Sequence, residues 1–560
     1  MGKKKRNHLS RREFLRTGAT AGVGATAVAA GAGAPALAGL ATTPVEAQSE
    51  RRWDHAADVV VSGAGVSGLA AAISALDQGA SVIMVDENFD IGGHGMVSGG
   101  IVHLGGGHSM QRKHGVQDSA ELVFQDWIRP DHPLARYNDR DLVRVFADEN
   151  APTFEFLVEN GVAFEDRMTG PQMASTVPRQ VPTVQWPNKS EIVTSVPSRR
   201  GSGLVRALDV SARKKGAQIL LQHRMTNIIR ESPSSGRVLG IAVTHEGRTL
   251  HIQARKGVLV ATGGHSNNLD LRRTFDPRLT EEYFVAGDPY SRKSGDGEVA
   301  AMAIGAALWG TANQTNEAER CLRKAVHIGS RFGYASLHWP ADSKIFHLIR
   351  GSGLTDVDWA NAIMVKQTGR RFYNELEDSY AFIAAAMAYS GDPSKRNGGG
   401  PIWAVFDAEA VERQQWYPEP PHVDLDGYFF SGDTFAELAG KIVNPYQSRP
   451  MPAATLQETV TRYNSFVDAG KDEDFEKPAP FHKIQTPPFY AAWATPLIHD
   501  SYAGLRTNTN AQVVDTHGQV ISGLYCSGEC QGGFNQHGLG RAVVFGRIAG
   551  RHAALHGDQV

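Results

Sequence analysis

The stretch Ala57–Gly100, ADVVVSGAGVSGLAAAISALDQGASVIMVDENFDIGGHGMVSGG, runs as strand, glycine turn, alanine-rich helix, second strand, acid and further glycine turn. Gly63, Gly65 and Gly68 have the spacing that serves a tight turn, a close approach of backbone to a pyrophosphate and a close packing of helix on strand. Val66 and Ser67 follow at the helix N-terminus, where open N–H groups and the helix dipole favour a phosphate. Asp86, about 20 residues beyond the turn, ends the apolar run Ser81–Val85 with Glu87 beside it, and a carboxylate there accepts from ribose hydroxyls. A glycine triplet alone is a weak signal. Here every part stands in the order that a dinucleotide-binding unit requires, which predicts an α/β, Rossmann-like fold.

Working outward, Gly257–Gly264 (GVLVATGG) reads as a buried strand running into a glycine turn that contains Thr262 and Gly263. The preceding Gln218–Arg255 alternates like a small antiparallel sheet. Ser294-Gly295-Asp296-Gly297 opens a helix expected over Glu298–Ala307, with Asp296 as its N-cap. Near the other end Gly523-Leu524-Tyr525 leads to Gly528-Glu529, and Gly538-Leu539-Gly540-Arg541-Ala542 opens a last helix that contains Phe545-Gly546-Arg547. Nucleotide-fold segments at both ends of the chain predict an inserted domain between them. The expected division is 54–309 and 490–560 for the nucleotide fold and 310–489 for the insert.

Residues 1–47 read differently. Lys3, Lys4, Lys5 and Arg6 precede Ser10-Arg11-Arg12-Glu13-Phe14-Leu15, a weakly apolar run from Thr17 to Ala41, and a small-residue cleavage site at Val45-Glu46-Ala47. This resembles a bacterial twin-arginine export signal, which implies passage through the twin-arginine translocase and a periplasmic or exported chain. A membrane anchor is the poorer reading, because Gly and Ala contribute too little apolar area for a span of about 20 strongly apolar residues.

The rest of the 560-residue chain exceeds what one core serves. Over the full chain 57 basic against 59 acidic residues leave a nearly neutral surface, which argues against nucleic acid or anionic membrane as a partner. Cys321, Cys526 and Cys530 are the only cysteines, too few for a disulfide framework, and no Cys/His set has metal spacing, so no metal is expected. Cys526 and Cys530 fall on a strand end and turn, which argues against a redox pair.

Gly92-Gly93-His94 through Ser98-Gly99-Gly100, Gly369–Glu375 (GRRFYNE), Tyr463–Phe466 (YNSF) and Pro488-Phe489-Tyr490 complete an ordered set of motifs. On these the chain from Ala57 to Gly550 resembles the flavoprotein superfamily of fumarate reductase, succinate dehydrogenase and 3-ketosteroid dehydrogenase. The resemblance implies a Rossmann-like (GR2-type) FAD-binding domain with an inserted α+β capping domain, FAD bound in extended form, and hydride exchange at flavin N5 with a carbon beside an activating carbonyl or carboxylate. It further implies that Asp86 takes the adenosine ribose, that Ser98, Gly99, Gly100 and Asp296 lie at the flavin ring, and that Glu529 binds the ribityl hydroxyls. Gly538–Ala542 would direct a helix N-terminus at the pyrimidine edge, where partial positive charge stabilises the reduced anion. His94 stands where membrane-bound members join the flavin covalently and soluble members carry Asn, Ser or Thr. The turn from His94 to Gly99 is a residue shorter than in the covalent members, which favours a noncovalent cofactor.

The departures concern substrate. The Gln-x-His-Pro segment of fumarate reductases is replaced by Gly310–Asn316 (GTANQTN), and their proton-donating cap arginine finds no match in Phe406–Val411, the nearest arginine being Arg413. Their His-Thr-Met-Gly-Gly segment becomes His499-Asp500-Ser501-Tyr502-Ala503-Gly504, and their Asn-Arg-Leu-Gly-Gly clamp becomes Asn535–Gly540 (NQHGLG). Without paired cationic clamps a dicarboxylate loses both its orientation and its transition-state stabilisation, so a non-dicarboxylate is expected. Tyr334, His338, Trp339, Tyr373, Trp416, Tyr417 and Trp493 offer walls for a flat or cyclic small molecule. His499 and Tyr502 are the first candidates for proton transfer, with Arg413, Tyr373 and His537 next. The tyrosine pattern that ketosteroid dehydrogenases carry near the C-terminus is absent, Gly532-Gly533-Phe534-Asn535 standing in its place. The expected protein is a FAD-dependent dehydrogenase or reductase of CH–CH groups. Having no CxxCH haem motif, it would exchange electrons with a separate quinone, cytochrome or oxygen. A urocanate- or acrylate-type reductase fed by a respiratory donor is one alternative. A noncatalytic flavin electron carrier is another, against which the cap argues, since a carrier needs no enclosed site.

Overall fold

Valines at 59, 60 and 61 place β-branched side chains on both faces of β1 (His55–Ser62), and all three are fully buried. In this computed structural model the described residues are 52–187, 200–310, 322–331, 339, 341, 343, 345–377, 379–388, 400–536 and 538–557. The export signal, the segment 311–321, Tyr334, His338 and His537 lie outside them. From β1 the chain turns at Gly63 into α1 (Val66–Leu76) and returns in β2 (Val82–Val85), parallel to β1 with Val59 beside Val82 and Val61 beside Met84. β3 (Gln218–Leu220) adds a parallel strand beyond β2. β4 (Arg224–Ser232), β5 (Ser235–His245) and the start of β6 (Arg248–Val260) form an antiparallel meander. β6 continues alongside β1, Val258 next to Val60.

Two expectations are corrected here. Gln218–Leu220 pairs parallel with β2 and takes no part in the antiparallel meander, Ile219 and Leu220 lying level with Met84 and Val85 at the sheet edge. The helix after the second glycine turn, α2, covers Asp296–Met302, with Gly295 at φ +72 as its N-cap. The left-handed cap conformation suits glycine, and Asp296 is thereby the first helical residue, its carboxylate turned to Arg224.

Beyond α2 a short β7 (Leu322–Arg323) precedes a four-stranded antiparallel sheet of β8 (Ile363–Lys366), β9 (Ile402–Phe406), β10 (Phe429–Gly432) and β11 (Phe489–Trp493), in the order β8-β9-β11-β10. Alternate residues Ile363, Val365, Trp403, Val405 and Trp493 pack with Leu438, Leu456 and Tyr463. The opposite set, Met364, Ala404, Phe406, Tyr490 and Ala492, joins the main core, as the two-residue period of a doubly covered sheet demands. β12 (Leu497–Ile498) then pairs antiparallel with β7 and delivers the chain to His499. β13 (Gln512–Val514) and β14 (Val520–Cys526) return it to the first sheet, where β14 runs parallel to β6 with Leu524 beside Val258. The sheet has eight strands, its main path being β13-β14-β6-β1-β2-β3.

The last helix, α3 (Leu539–His556), lies on α1 with backbone against backbone. A Cβ on Gly546 would stand 2.4 Å from the Ser67 carbonyl oxygen, and one on Gly550 2.0 Å from that of Ala71. Cys526 and Cys530 are buried free thiols with Sγ atoms 3.5 Å apart. Among the described residues no helix is long and apolar enough to cross a membrane, and no group of His, Cys, Asp and Glu is placed to hold a metal ion.

Candidate active site

The parallel sheet ends in glycine turns, and these open into one cleft. Gly63 N donates to Val85 O at 2.8 Å, and a Cβ on Gly68 would fall 1.9 Å from Gly63 O, so the turn and the first coil of α1 leave no room for a side chain at Gly68. Gly65 caps α1 without a side-chain hydrogen bond, and the first turn carries no acid. That leaves the helix N-terminus open to an anion. Asp86 braces the turn: its Oδ2 accepts from Ala64 N at 2.7 Å and its Oδ1 from Asn88 N at 2.9 Å. Burial pushes its pKa up to about 6, against the pull of those two hydrogen bonds. Next to it Glu87 Oε2 is buried without a hydrogen-bond partner, 3.6 Å from Arg224 Nε and 3.5 Å from Arg292 Nη1.

Of the residues expected to hold the dinucleotide, Gly63, Gly65, Val66, Ser67, Asp86, Glu87, Gly93, His94, Ser98, Gly99, Gly100, Thr262, Gly263, Asp296, Glu529, Gly538, Leu539 and Ala542 all line this cleft. Gly68 and Gly540 do not. Gly68 packs beneath the turn, and a Cβ on Gly540 would meet His103 O at 2.2 Å, so its role is to seat α3. A Cβ on Gly93, Gly99, Gly263 or Gly538 would meet no protein atom within 4 Å. Thr262 Oγ1 and Gln536 Oε1 are buried on the cleft wall without hydrogen-bond partners. A long glycine-walled cleft with polar atoms awaiting partners fits an extended dinucleotide.

At the far part of the cleft four segments distant in sequence converge, those of His94, Lys293, His499–Tyr502 and Glu529. His499 Nδ1 lies 2.8 Å from Asp500 Oδ2, and its ring meets that of His94 edge-on at 5.5 Å. Lys293, almost fully buried and at φ +45, places its ammonium 3.3 Å from Glu529 Oε1 and 3.7 Å from Asp500 Oδ1, and donates to the His499 carbonyl oxygen. Glu529 Oε1 also accepts from Ser501 N at 2.9 Å. Tyr502, 2% exposed, completes the wall. Asp296 is held by Arg224 through hydrogen bonds of 2.6 and 2.9 Å, which raise the arginine's pKa.

Of the remaining catalytic candidates, the two among the described residues do not line the cleft. Arg413 is turned to Asn361 and Glu409, and Tyr373 packs edge-on to Phe382 with its hydroxyl donating to Glu377. The described members of the expected aromatic walls are likewise elsewhere: Trp339, Trp416 and Trp493 are core residues, while Tyr417 is 70% exposed. The cleft uses imidazoles and amides instead, His103, Gln172, Gln180 and Gln536 among them, and basic residues that sequence reading passed over, Lys293 and Arg323 above all. Lys293 was within reach, being three residues before Asp296. Arg323 carries no local signal.

The FAD binding domain family matches residues 58–541. The chain is 27% identical to a probable fumarate reductase of Shewanella frigidimarina over 89% of this chain and 75% of that protein. It is 27% identical to the urocanate reductase of Eggerthella lenta over 89% and 74% of the two chains. The open conformation of a flavocytochrome c3 fumarate reductase is similar with a TM-score of 0.64 and 25% identity, over 90% of this chain and 79% of that one. As the match runs from β1 through both glycine turns to the start of α3, and the cleft those elements build fits the cofactor, the chain belongs to the FAD binding domain family and takes FAD.

Proposed function

We propose that this chain is an exported flavoenzyme that forms or reduces a C=C bond beside an activating carbonyl-type group in a small molecule other than a dicarboxylate. It is a FAD-dependent oxidoreductase of CH–CH groups. The observation that carries the finer reading is that His499 and Tyr502 share one cleft with the glycine turn and Glu529.

The open N-terminus of α1, with Gly65, Val66 and Ser67, holds the pyrophosphate. Asp86 and Glu87 serve the ribose, Glu529 the ribityl chain, Ser98, Gly99, Gly100 and Asp296 the flavin ring, and Gly538–Ala542 its pyrimidine edge. FAD, once bound, supplies two-electron hydride exchange at N5. His499 handles the accompanying proton: Nδ1–H donated to Asp500 leaves Nε2 to accept or deliver it, and Lys293 keeps the Asp500 carboxylate in place. Tyr502 donates to the carbonyl-type oxygen of the substrate. His94 lies beside His499 and binds the flavin edge without a covalent bond. Of the basic groups on the cleft, Arg224, Arg292 and Lys293 are each opposed by an acid, which supports the exclusion of dicarboxylates. Similarity to a urocanate reductase supports the reductive direction, with electrons from a separate quinone or cytochrome. The twin-arginine resemblance of residues 1–47 supports a periplasmic location.

His499→Ala and Tyr502→Phe should each lower turnover roughly 10²-fold or more, the usual size for a lost general acid or base, with FAD content unchanged. Wild-type turnover in both variants on a verified substrate would move the proton donor elsewhere.

A further inference from the structure

Lys293, in Ser291–Asp296 (SRKSGD), has a left-handed backbone at φ +45 that a residue with a side chain adopts only at a cost, and its side chain is 1% exposed. An ammonium taken from water must find anions in its place. Such a conformation persists where the surroundings over-determine it, and here they do so from two sides. The ammonium lies 3.3 Å from Glu529 Oε1 and 3.7 Å from Asp500 Oδ1, and it donates to the carbonyl oxygen of His499.

Asp500 is thereby shared. Its Oδ2 lies 2.8 Å from His499 Nδ1, while its Oδ1 faces the ammonium. A carboxylate at this distance holds an imidazole protonated, and the hold weakens as a second cation neutralises the carboxylate. The other charged or titratable groups about His499 are His94, whose ring meets it edge-on, Tyr502 in its own segment, Glu529, Arg541, and Arg323 on the strand paired with β12. Arg541 is within Coulomb reach of Asp500 and Glu529, but its guanidinium donates to the carbonyl oxygens of Phe534, Gly528 and Gln531.

We infer that Lys293 is a positioning residue that sets the proton affinity of His499 through the Asp500 carboxylate, keeping it low enough for the imidazole to release its proton as well as take it. The inference rests on the flavoenzyme reading above, in which His499 carries the proton, and adds the group that governs it. Without the ammonium, Asp500 would act on the imidazole alone and retain the proton. Glu529 gives the ammonium a second anchor from the residue proposed for the ribityl chain, so one lysine joins the proton-transfer pair to the cofactor side of the cleft.

The test follows the midpoint potential of the bound flavin from about pH 5 to 9 on the FAD-loaded full chain, by anaerobic reduction against a reference dye with no substrate present. Wild type should show one bend that His499→Gln removes, which marks the imidazole. Lys293→Met should move that bend up by about one pH unit or more, the effect of losing a cation within a few ångströms, with FAD content unchanged. Lys293→Arg, which keeps the charge, should leave it near wild type, and Asp500→Asn should move it down. A bend unmoved or moved down in Lys293→Met overturns the inference. So does an equal shift in Lys293→Arg, which would make shape and not charge the cause. If Lys293→Met fails to hold FAD, Lys293→Gln takes its place in the same measurement, and loss of FAD from both overturns the inference, since the lysine would then serve the fold. A wild-type curve without a bend that His499→Gln removes would instead overturn the proton-transfer reading beneath it.

Discussion

Asp86 shows how one residue can carry a second task beside the one its place in the sequence predicts. Its place at the end of β2 predicts a ribose acceptor, yet its two oxygens already accept from Ala64 and Asn88, while the neighbouring Glu87 presents the unpartnered buried oxygen. The cost of that burial has a pH signature. The folded pKa of about 6 exceeds the ordinary 3.8, so between these values the folded chain holds a proton that the unfolded chain has released. Stability of the apoprotein must then fall as pH rises through that window, by about 3 kcal/mol from this group. Other groups titrate in the same window, His108 among them with the opposite sign, so the test is the difference: urea unfolding at several pH values should show wild type losing stability relative to Asp86→Asn as pH rises, and an identical pH slope in the two contradicts the assignment. At His94 the question is covalency. Acid precipitation should leave the yellow colour in the supernatant, and a coloured pellet that His94→Ala clears would establish a covalent link.

Among the elements, the βαβ unit was legible because its signal is local: the glycines, valines and Asp86 that define it lie within one run of chain. The sites that close over it were not, because their partners are remote in sequence. Lys293 donates to a carbonyl 206 residues away, Arg224 holds an acid 72 residues away, and Arg323 reaches the cleft through a pairing of β7 with β12 that no periodicity announces. The Phe545-Gly546-Arg547 motif was visible but mute until α3 was seen to touch α1. Gly546→Leu should force these helices apart, costing about 2–3 kcal/mol or more and loosening FAD, because Ser67 stands at the cofactor end of α1. A melting temperature and flavin content equal to wild type would show that the contact is slack. Gly65→Val isolates the cofactor from the fold. A Cβ there meets nothing nearer than Gly92 O at 3.9 Å, so the apoprotein should melt as wild type does while FAD retention is lost.

For the whole molecule, cofactor, stability and chemistry are linked through a single cleft. Added FAD should raise the unfolding free energy of the apoprotein, by about 2.7 kcal/mol at a hundred times its dissociation constant, and should fail to do so for Gly65→Val. The chemistry itself is tested most directly by reducing the FAD-loaded chain anaerobically and mixing it with matched unsaturated acceptors while flavin reoxidation and the organic product are followed. An unsaturated carbonyl compound other than a dicarboxylate should reoxidise the flavin with conversion of its C=C bond to CH–CH, and fumarate should not. Rapid reoxidation by fumarate with formation of succinate, or no response to any unsaturated carbonyl compound, would contradict the account.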